Sequence, residues 1–515
     1  MGFELYPFQR NAVEAVEKEF AEGRKHILMV LPTGTGKTVC FSEFLRRQVE
    51  NGGRGLILAH RDELLSQAAQ KLKATTGLDS ALEKADSSAW MSDAPVTVAS
   101  VQSMCRPERL KNYSPGYYSD VVIDEAHHSL SPSYRRIIDH FVGSRILGVT
   151  ATPDRGDHKA LSEVYESLAF EYPMRQAIND GYLVPIKAKM LPVEVDLTEV
   201  KLSCGDYSAN SLGDAIEPYL EEIARRMAEE CKDRKTVVFL PLIKIAKRFA
   251  ELLNEYGISA AEVNGESPDR EAILADFEAG KYQTLCNAML LTEGWDCPSV
   301  DCIVVLRPTK VRSLYQQMIG RGTRLFPGKE DLLILDFLYL TAKHDLCTPA
   351  SLFSGTAEVE EKMDQILRGG KEMDVSEVED QAERDILAER AESLAQTLER
   401  SSRKKARTVD PMEFALSIAA EDIALYEPTF GWEYDEPTPK QISYLGRCGI
   451  TTDAITCKGM ASMIIDKLIR RQNAGLSTPK QIRMLNQYGY DDAAQWSFEK
   501  ASWQISQILG TGWIV

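Results

Sequence analysis

Short apolar runs alternate with amphipathic stretches along the first part of the chain. The run at 26–31 predicts a buried strand, and the stretch at 39–47 predicts a helix with one apolar face. Further apolar runs follow at 56–59, 121–123 and 146–149. Strands that alternate with helices over residues 1 to about 180 indicate a doubly wound parallel sheet.

A second α/β unit begins at the apolar run 236–240, which precedes a predicted helix at 244–256. Residues 357–407 are rich in charge and poor in aromatics, and their apolar positions do not keep a heptad pattern, so a solvated helix or linker is favoured over a coiled coil. The expected segments are a first lobe at 1–180, a connector at 181–234, a second lobe at 235–345, a charged helical linker at 346–410 and a helical region at 411–515.

The last segment contains an internal repeat with a spacing of 40 residues. The sequence at 438–442 recurs at 478–482, and several later positions match at the same offset: Leu445 and Leu485, Gly449 and Gly489, Ser462 and Ser502. Each copy predicts a Thr N-cap, a Pro in the first helical turn, a helix, a Gly stop and a second helix. Because two copies are too few for a solenoid, we expect them to pack on each other. They predict either a stabilising cap or a module that docks nucleic acid or a partner protein, with Lys440 and Lys480 as candidate contacts.

Composition narrows the class of protein. The formal net charge is −17, so nucleic-acid binding would require a local basic channel on an acidic body. No apolar run approaches the roughly 20 residues of a membrane span, and residues 1–6 lack the features of a signal peptide. The ten cysteines are scattered without a zinc-site spacing. We therefore expect a soluble, cytoplasmic protein that does not bind membranes.

The turn between the first strand and the first amphipathic helix has the pattern of a phosphate-binding loop. Gly34 and Gly36 allow a tight turn whose N–H groups point inward, and the helix directs its positive end at an anion. Lys37 can reach the β- and γ-phosphates, and the Thr38 hydroxyl can bind Mg²⁺. The expected ligands are therefore ATP and Mg²⁺. The expected nucleotide contacts in this loop are Thr33, Gly34, Thr35, Gly36, Lys37 and Thr38.

Two carboxylates and an upstream glutamine complete the predicted nucleotide chemistry. Asp124 ends an apolar strand and can hold the hydrated Mg²⁺, while Glu125 can orient and deprotonate the attacking water. Gln9 stands upstream of the loop, and its amide can both donate to and accept from an adenine.

Polar residues also follow two other predicted strands. His60 and Arg61 come after the run 56–59, and Ser100 and Gln102 come after the run 96–99. Such strand-to-helix corners suit contacts to a phosphodiester backbone.

The second α/β unit carries two arginines three residues apart. Arg321 and Arg324 would share one face of a helix. Phosphoryl transfer builds charge on the equatorial oxygens, and a guanidinium supplied across a cleft can stabilise that charge. We therefore expect both arginines to act in catalysis.

Together these motifs resemble superfamily 2 helicases. The stretch 32–38, the Asp124-Glu125-Ala126-His127 run and Thr150-Ala151-Thr152 resemble motifs I, II and III, while 291–296 and 315–324 resemble motifs V and VI. The resemblance covers about residues 1–345. Within the superfamily, the Asp-Glu-Ala-His-His run and Glu293-Gly294-Trp295-Asp296 are similar to the XPB- and UvsW-type branch of bacteria and phages.

The resemblance implies a fold and further site residues. It implies two tandem RecA-like lobes, followed here by a small α-helical C-terminal region. It places Gly294 and Asp296 at the cleft between the lobes, Thr292 near a bound strand, and Gln317 among the catalytic residues. The implied activity is that of a DNA helicase or translocase, in which nucleic-acid-stimulated ATP hydrolysis drives strand separation or the remodelling of forks and branches. The implied direction is 3′ to 5′, and the implied partner is single-stranded or forked DNA. An RNA helicase and an ATP-switched clamp that does not unwind remain alternatives.

Overall fold

The computed structural model describes residues 4–510 except for 61, 152–160, 192, 194–199, 204–205, 232, 266, 289–294, 296, 338–345, 354–355, 402–408, 425, 427 and 429–430. The chain forms two compact units, one of residues 1–354 and 361–379 and one of residues 355–360 and 380–515. The first unit holds two parallel-sheet lobes. Within the described residues, no helix combines the length and apolarity that crossing a membrane requires.

The first lobe is a parallel sheet flanked by helices. Its strands are β1 His26–Val30, β2 Gly55–Ala59, β3 Ser80–Glu83, β4 Val96–Ser100, β5 Asp120–Asp124, β6 Arg145–Thr150 and β7 Ser167–Glu171. Its helices are α1 Pro7–Ala21, α2 Lys37–Glu50, α3 Asp62–Thr76, α4 Val101–Met104, α5 Pro107–Leu110, α6 Pro132–His140 and α7 Met174–Asn179. The strands lie in the order β3-β4-β2-β5-β6-β1-β7.

Central strands of this sheet are buried along their length, which explains their continuous apolar runs. Because all seven strands are parallel, the carboxyl ends of β1, β2, β4 and β5 lie at one edge of the sheet. That edge therefore gathers the polar residues that the sequence places after each strand. The predicted doubly wound lobe is confirmed.

The second lobe repeats this design. Its strands are β8 Ile186–Met190, β11 Thr236–Phe239, β12 Ala260–Val263, β13 Thr284–Asn287, β14 Cys302–Val305, β15 Leu332–Asp336 and β16 Met373–Asp374, and a separate hairpin pairs β9 Leu202–Ser203 with β10 Asp206–Tyr207. The helices are α8 Ala209–Ile216, α9 Leu220–Glu230, α10 Ile243–Glu255, α11 Arg270–Glu278 and α12 Arg312–Ile319. The strands lie in the order β12-β13-β11-β14-β15-β8-β16.

Two strands of this sheet lie outside the segment 235–345. Strand β8 comes from the predicted connector and pairs in parallel with β15, while β16 pairs antiparallel with β8. The period-2 burial of β8, with Ile186, Ala188 and Met190 buried, was too short a signal to stand out in the sequence. Helix α10 ends as expected, since Gly257 follows it with a left-handed φ of +84°.

Helices make up the second unit and the segments that lead into it. They are α13 Ala357–Leu367, α14 Val375–Ser401, α15 Pro411–Ser417, α16 Glu421–Ala424, α17 Pro439–Cys448, α18 Lys458–Asn473, α19 Pro479–Asn486 and α20 Phe498–Gly510. The division between the units falls inside α13 and again inside α14. The charged stretch thus forms a helix of 27 residues over much of its length.

The two repeats share the same local structure. Thr438 and Gln441 form a capping box at the start of α17, and Thr478 and Gln481 form the same box at the start of α19. The Gln441 amide nitrogen donates to Ser462 Oγ at 2.8 Å, and Gln481 donates to Ser502 Oγ at the same distance. Each glutamine therefore ties the two helices of its repeat together.

The repeats pack on each other, as the sequence predicts. Leu445 and Ile464 of the first copy and Ile482 of the second belong to one buried apolar cluster. The stem of Lys480 covers Gly449, where an added Cβ would lie 2.3 Å from Lys480 Cε. The equivalent Gly489 has no atom within 4 Å of such a Cβ, so the two copies differ in what lies against them.

Replacing Gln481 by Ala should loosen the second repeat selectively. The change removes the capping box and the bond to Ser502, which together contribute about 1–2 kcal/mol. Hydrogen exchange of residues 478–510 in the full chain should become roughly 5- to 30-fold faster. The exposed Gln487, which makes no side-chain hydrogen bond among the described residues, provides the control Gln487→Ala. Equal protection in the two variants would contradict the proposed tie between the helices.

Candidate active site

A cavity of about 340 Å³ lies between the two lobes, against the loop that follows β1. Both lobes line it, and most of its lining residues are polar or charged. They are Thr33, Gly34, Gly36, Lys37, Thr38, Gln67, Ala68, Lys71, Asp124, Glu125, Gln317, Arg321 and Arg324. The structure thus brings together most of the predicted nucleotide-site residues that it describes.

The loop after β1 has the backbone conformation that the sequence predicts. Gly34 and Gly36 adopt left-handed φ angles of +95° and +87°, and α2 begins at Lys37. The Thr35 hydroxyl donates to the Pro32 carbonyl at 2.8 Å, which braces the turn from within. A loop of this shape at a helix N-terminus is an anion-binding geometry.

Gln9 is buried beneath this loop. Its side-chain nitrogen donates to the Thr35 carbonyl at 2.9 Å, and its side-chain oxygen accepts from the Tyr6 backbone N–H at 3.0 Å. The same nitrogen would lie 2.7 Å from a Cβ at Gly36, so a side chain there would displace Gln9 in addition to straining the left-handed φ of +87°. The amide that the sequence assigns to adenine thus supports the phosphate loop directly, and adenine recognition by Gln9 stays a prediction.

Asp124 and Glu125 stand at the carboxyl end of β5, opposite Lys37. The Lys37 ammonium donates to Glu125 Oε1 at 3.1 Å, and His127 Nδ1 lies 3.6 Å from Glu125 Oε2. Glu125 has a left-handed φ of +54°, which is a strained conformation for a residue with a side chain. This geometry directs both carboxylates into the cavity.

The two carboxylates have different pKa values because their surroundings differ. Burial raises the pKa of Asp124 to about 6, and the neighbouring Glu125 adds to the rise. Burial also opposes the ionisation of Glu125, but Lys37 and His127 outweigh it and lower its pKa. Glu125 is therefore held as a carboxylate, the form that a general base requires.

The residues present fit a magnesium ion. Thr38 and Asp124 line the same cavity, and Mg²⁺ in nucleotide sites usually takes one or two protein oxygens and fills its other positions with water and phosphate. A cluster of three or more metal-ligating side chains, which a permanent protein-only site would need, is not found among the described residues. The donor set therefore suits a metal that arrives with a nucleotide.

The phosphate loop packs directly on the 320–324 segment of the second lobe. A Cβ at Gly320 would lie 2.4 Å from Thr33 Cβ, and a Cβ at Gly34 would lie 3.2 Å from Thr323 Oγ1. Two glycines, one from each lobe, therefore permit this approach. It carries Gln317, Arg321 and Arg324 to the cavity wall.

Arg321 is held by its own lobe, and Arg324 is partly buried. Arg321 Nη1 donates to the Trp295 carbonyl at 2.6 Å, and burial lowers the pKa of Arg324. Gln317 is buried within α12 and lines the cavity beside them. Both guanidiniums line the cavity with the carboxylates of the first lobe. The predicted shared helix face is wrong, because α12 ends at Ile319 and both arginines follow it in the turn after Gly320.

Hydrogen bonds join the two strand-to-helix corners, after β2 and after β4, that the sequence predicts to contact nucleic acid. The Gln102 side-chain nitrogen donates to the His60 carbonyl at 2.7 Å, and Ser100 Oγ donates to Gln102 Oε1 at 2.6 Å. The His60 ring also stacks on His128, with ring centroids 5.0 Å apart. His60, Ser100 and Gln102 therefore form one polar cluster beside the motif that carries Glu125.

Some predicted site residues cannot be placed. Arg61, Thr292, Gly294 and Asp296, together with Thr152 of the third motif, lie outside the described residues. Their roles stay predictions.

Sequence reasoning missed three residues of the cavity wall, all on α3: Gln67, Ala68 and Lys71. Gln67 and Lys71 lie one turn apart on α3 and both line the cavity. Their spacing of four was available as a signal, but only the packing of α3 shows which face of the helix meets the nucleotide loop.

Two family models match the chain. "Type III restriction enzyme, res subunit" matches residues 2–155, and "Helicase conserved C-terminal domain" matches residues 218–325. They cover the two lobes in the order that the structure shows.

Individual proteins of known name are also similar. IRC3 of Saccharomyces cerevisiae, named as an ATP-dependent helicase, is 32% identical over 69% of this chain and 54% of its own length. The DNA 3′-5′ translocase XPB2 of Sulfurisphaera tokodaii is 26% identical over 64% of this chain and 81% of its own length. The chain spans about half the length of the first curated relatives it matches, 54% and 57%.

A solved structure is similar to the chain in fold. It is a fragment described as an HsdR subunit of a type I restriction enzyme from Vibrio vulnificus, with a TM-score of 0.52, 24% identity, and coverage of 64% of this chain and 63% of that one. The two family models and the named relatives, together with the ordered motifs, show that the chain belongs to superfamily 2 of the helicases.

Proposed function

We propose that the protein is an ATP-dependent DNA helicase or translocase of superfamily 2. One observation carries the proposal: a phosphate-loop lysine, a pair of strand-end carboxylates and two arginines of the opposite lobe line a single cavity. That set matches the needs of phosphoryl transfer, which depends on positioning and charge stabilisation.

Each residue has a proposed part in hydrolysis. The loop N–H groups and Lys37 would hold the β- and γ-phosphates, and Thr38 and Asp124 would hold a Mg²⁺ ion that neutralises phosphate charge. Glu125 orients a water and takes its proton as the water oxygen attacks the γ-phosphorus. The bond to the β–γ bridging oxygen breaks, and ADP and phosphate leave. Arg321 and Arg324 stabilise the charge that develops on the equatorial oxygens, and Gln317 supports them.

The neighbouring corner is the proposed contact with nucleic acid. His60, Ser100 and Gln102 lie on the first lobe, with Arg61 beside them in sequence and Thr292 on the second lobe as its counterpart. ATP binding would close the cleft, and hydrolysis would allow it to reopen. This cycle would move the nucleic-acid contact on the first lobe relative to the contact on the second lobe. Repetition of that cycle gives directional stepping along a strand.

We propose DNA as the substrate because XPB2, which aligns with this chain over 81% of its own length, is named a DNA 3′-5′ translocase. An RNA helicase, or a clamp that binds nucleic acid without unwinding, would retain the same nucleotide site. ATPase rates measured in parallel with single-stranded DNA, duplex, forked DNA and RNA distinguish these functions. Stimulation by RNA alone would overturn the DNA assignment, and stimulation without strand separation or movement would favour the clamp.

The Glu125→Gln variant should bind ATP and fail to hydrolyse it. The substitution keeps the size of the side chain but removes the base, so kcat should fall by about 10²- to 10⁴-fold. Affinity for ATP should change little, because Lys37 and Asp124 remain. Lys37→Ala is the contrasting control and should weaken nucleotide binding itself. Wild-type turnover in Glu125→Gln would remove Glu125 from the reaction.

Adding one methyl group at Gly320 should disturb the contact between the lobes. The Gly320→Ala Cβ would lie 2.4 Å from Thr33 Cβ, so the 320–324 segment must shift away from the phosphate loop. Overpacking of this kind costs about 1–3 kcal/mol, and we expect kcat to fall roughly tenfold or more. Gly265→Ala, in the same lobe with no atom within 4 Å, is the matched control. An unchanged kcat in Gly320→Ala would show that this approach is dispensable.

Binding of single strands should depend steeply on salt and little on sequence. The proposed contacts are to phosphates, so a site that neutralises about six of them on a single strand should lose roughly 300-fold in affinity between about 50 and 200 mM salt. Two oligonucleotides of equal length and unrelated sequence, titrated at both salt concentrations, provide the measurement. Affinity that ignores salt or follows base sequence would count against the predicted channel.

A further inference from the structure

The cavity between the lobes contains a cation that the proposed mechanism does not use. Lys71 lies on α3, one turn after Gln67, and both side chains line the cavity with Asp124, Arg321 and Arg324. Leu65 and Leu72 on the same helix are fully buried, which fixes the rotation of α3. The helix therefore presents Lys71 to the cleft as a consequence of its packing.

The surroundings of Lys71 are mainly positive. Partial burial lowers the pKa of its ammonium, and the guanidiniums of Arg324 and Arg321 lower it further, while Asp124 opposes the change. Its ammonium makes no hydrogen bond or ion pair with a described residue. Lys37, in contrast, is paired with Glu125 at 3.1 Å.

The net charge of the cavity indicates which form of the nucleotide Lys71 would bind. Four cations (Lys37, Lys71, Arg321 and Arg324) and two carboxylates line it, which gives a net charge of +2 when all are ionised. The magnesium complex of ATP carries about two negative charges, and loss of the γ-phosphoryl group removes about one of them. A cavity without Lys71 would have a net charge of +1, which suits the product better than the substrate.

We propose that Lys71 binds the terminal phosphate of ATP from the first lobe and makes the site distinguish ATP from ADP. This inference rests on the proposed ATPase function. Lys37 approaches the phosphates through the loop after β1, and Arg321 and Arg324 approach from the second lobe. Lys71 approaches from α3, where it lines the cavity with Asp124 and the two arginines. The γ-phosphoryl group would thus be surrounded by cations from three separate elements.

Nucleotide affinities in the full chain test the proposal. The background is Glu125→Gln, in which ATP is not consumed, and the variants are Lys71→Met, which keeps the stem without charge, and Lys71→Arg, which keeps the charge. The dissociation constant for Mg·ATP should rise roughly 10- to 100-fold in Lys71→Met, the range of one charge-assisted hydrogen bond. The constant for Mg·ADP should change by less than about threefold. Lys71→Arg should restore most of the preference for ATP.

A neighbouring lysine provides the control. Lys73 lies on the same helix, and its ammonium pairs with the exposed Asp79 at 2.7 Å, away from the cavity. Lys73→Met should therefore leave both affinities unchanged. Equal weakening of ATP and ADP in Lys71→Met, or no weakening, would overturn the role of Lys71 while leaving the ATPase assignment intact. Failure of the Glu125→Gln background itself to bind Mg·ATP would instead overturn the proposed function.

Discussion

The contact between the phosphate loop and the 320–324 segment is the constraint on which the candidate site depends. Each lobe supplies only part of the chemistry: the first provides the loop, Lys37 and the carboxylates, and the second provides the arginines. The parts meet because Gly320 faces Thr33 and Gly34 faces Thr323 without a Cβ at either glycine. A Cβ at Gly320 would clash with Thr33 and push the 320–324 segment away from the phosphate loop, while a Cβ at Gly34 would require Thr323 to move by a few tenths of an ångström.

Charge is concentrated where the lobes meet. The chain carries a formal net charge of −17, yet the cavity is lined by four cations and two carboxylates. Partial burial makes the two carboxylates, Lys37 and the two arginines interact more strongly than they would at the surface. Burial and the charge of Glu125 raise the pKa of Asp124, whereas Lys37 and His127 outweigh burial at Glu125 and lower its pKa. Local electrostatics, rather than overall charge, therefore governs the proposed chemistry.

The nucleotide site and the polar corner are physically continuous in the first lobe. Glu125 lies 3.6 Å from His127, the rings of His127 and His128 have centroids 4.1 Å apart, and His128 stacks on His60 at 5.0 Å. The run of two histidines after Glu125 thus extends from the catalytic candidate to the proposed strand contact. A movement of Glu125 would be transmitted through these packed rings to the residues that are proposed to contact nucleic acid.

The sequence by itself determined the local parts of this protein. Turns, caps and strand ends are set by neighbouring residues, so they leave short-range patterns in the sequence. Such patterns identified the phosphate loop, the Asp124–Glu125 pair, the order of the motifs and the 40-residue repeat. Tertiary structure alone decided which distant residues meet. The placement of β8 in the second sheet, the use of the Gln9 amide beneath the loop, the approach of Gly320 to Thr33 and the exposure of Lys71 to the cleft each depend on packing between elements far apart in the chain. No local pattern encodes those distances, since they are fixed only when the sheets and helices pack together.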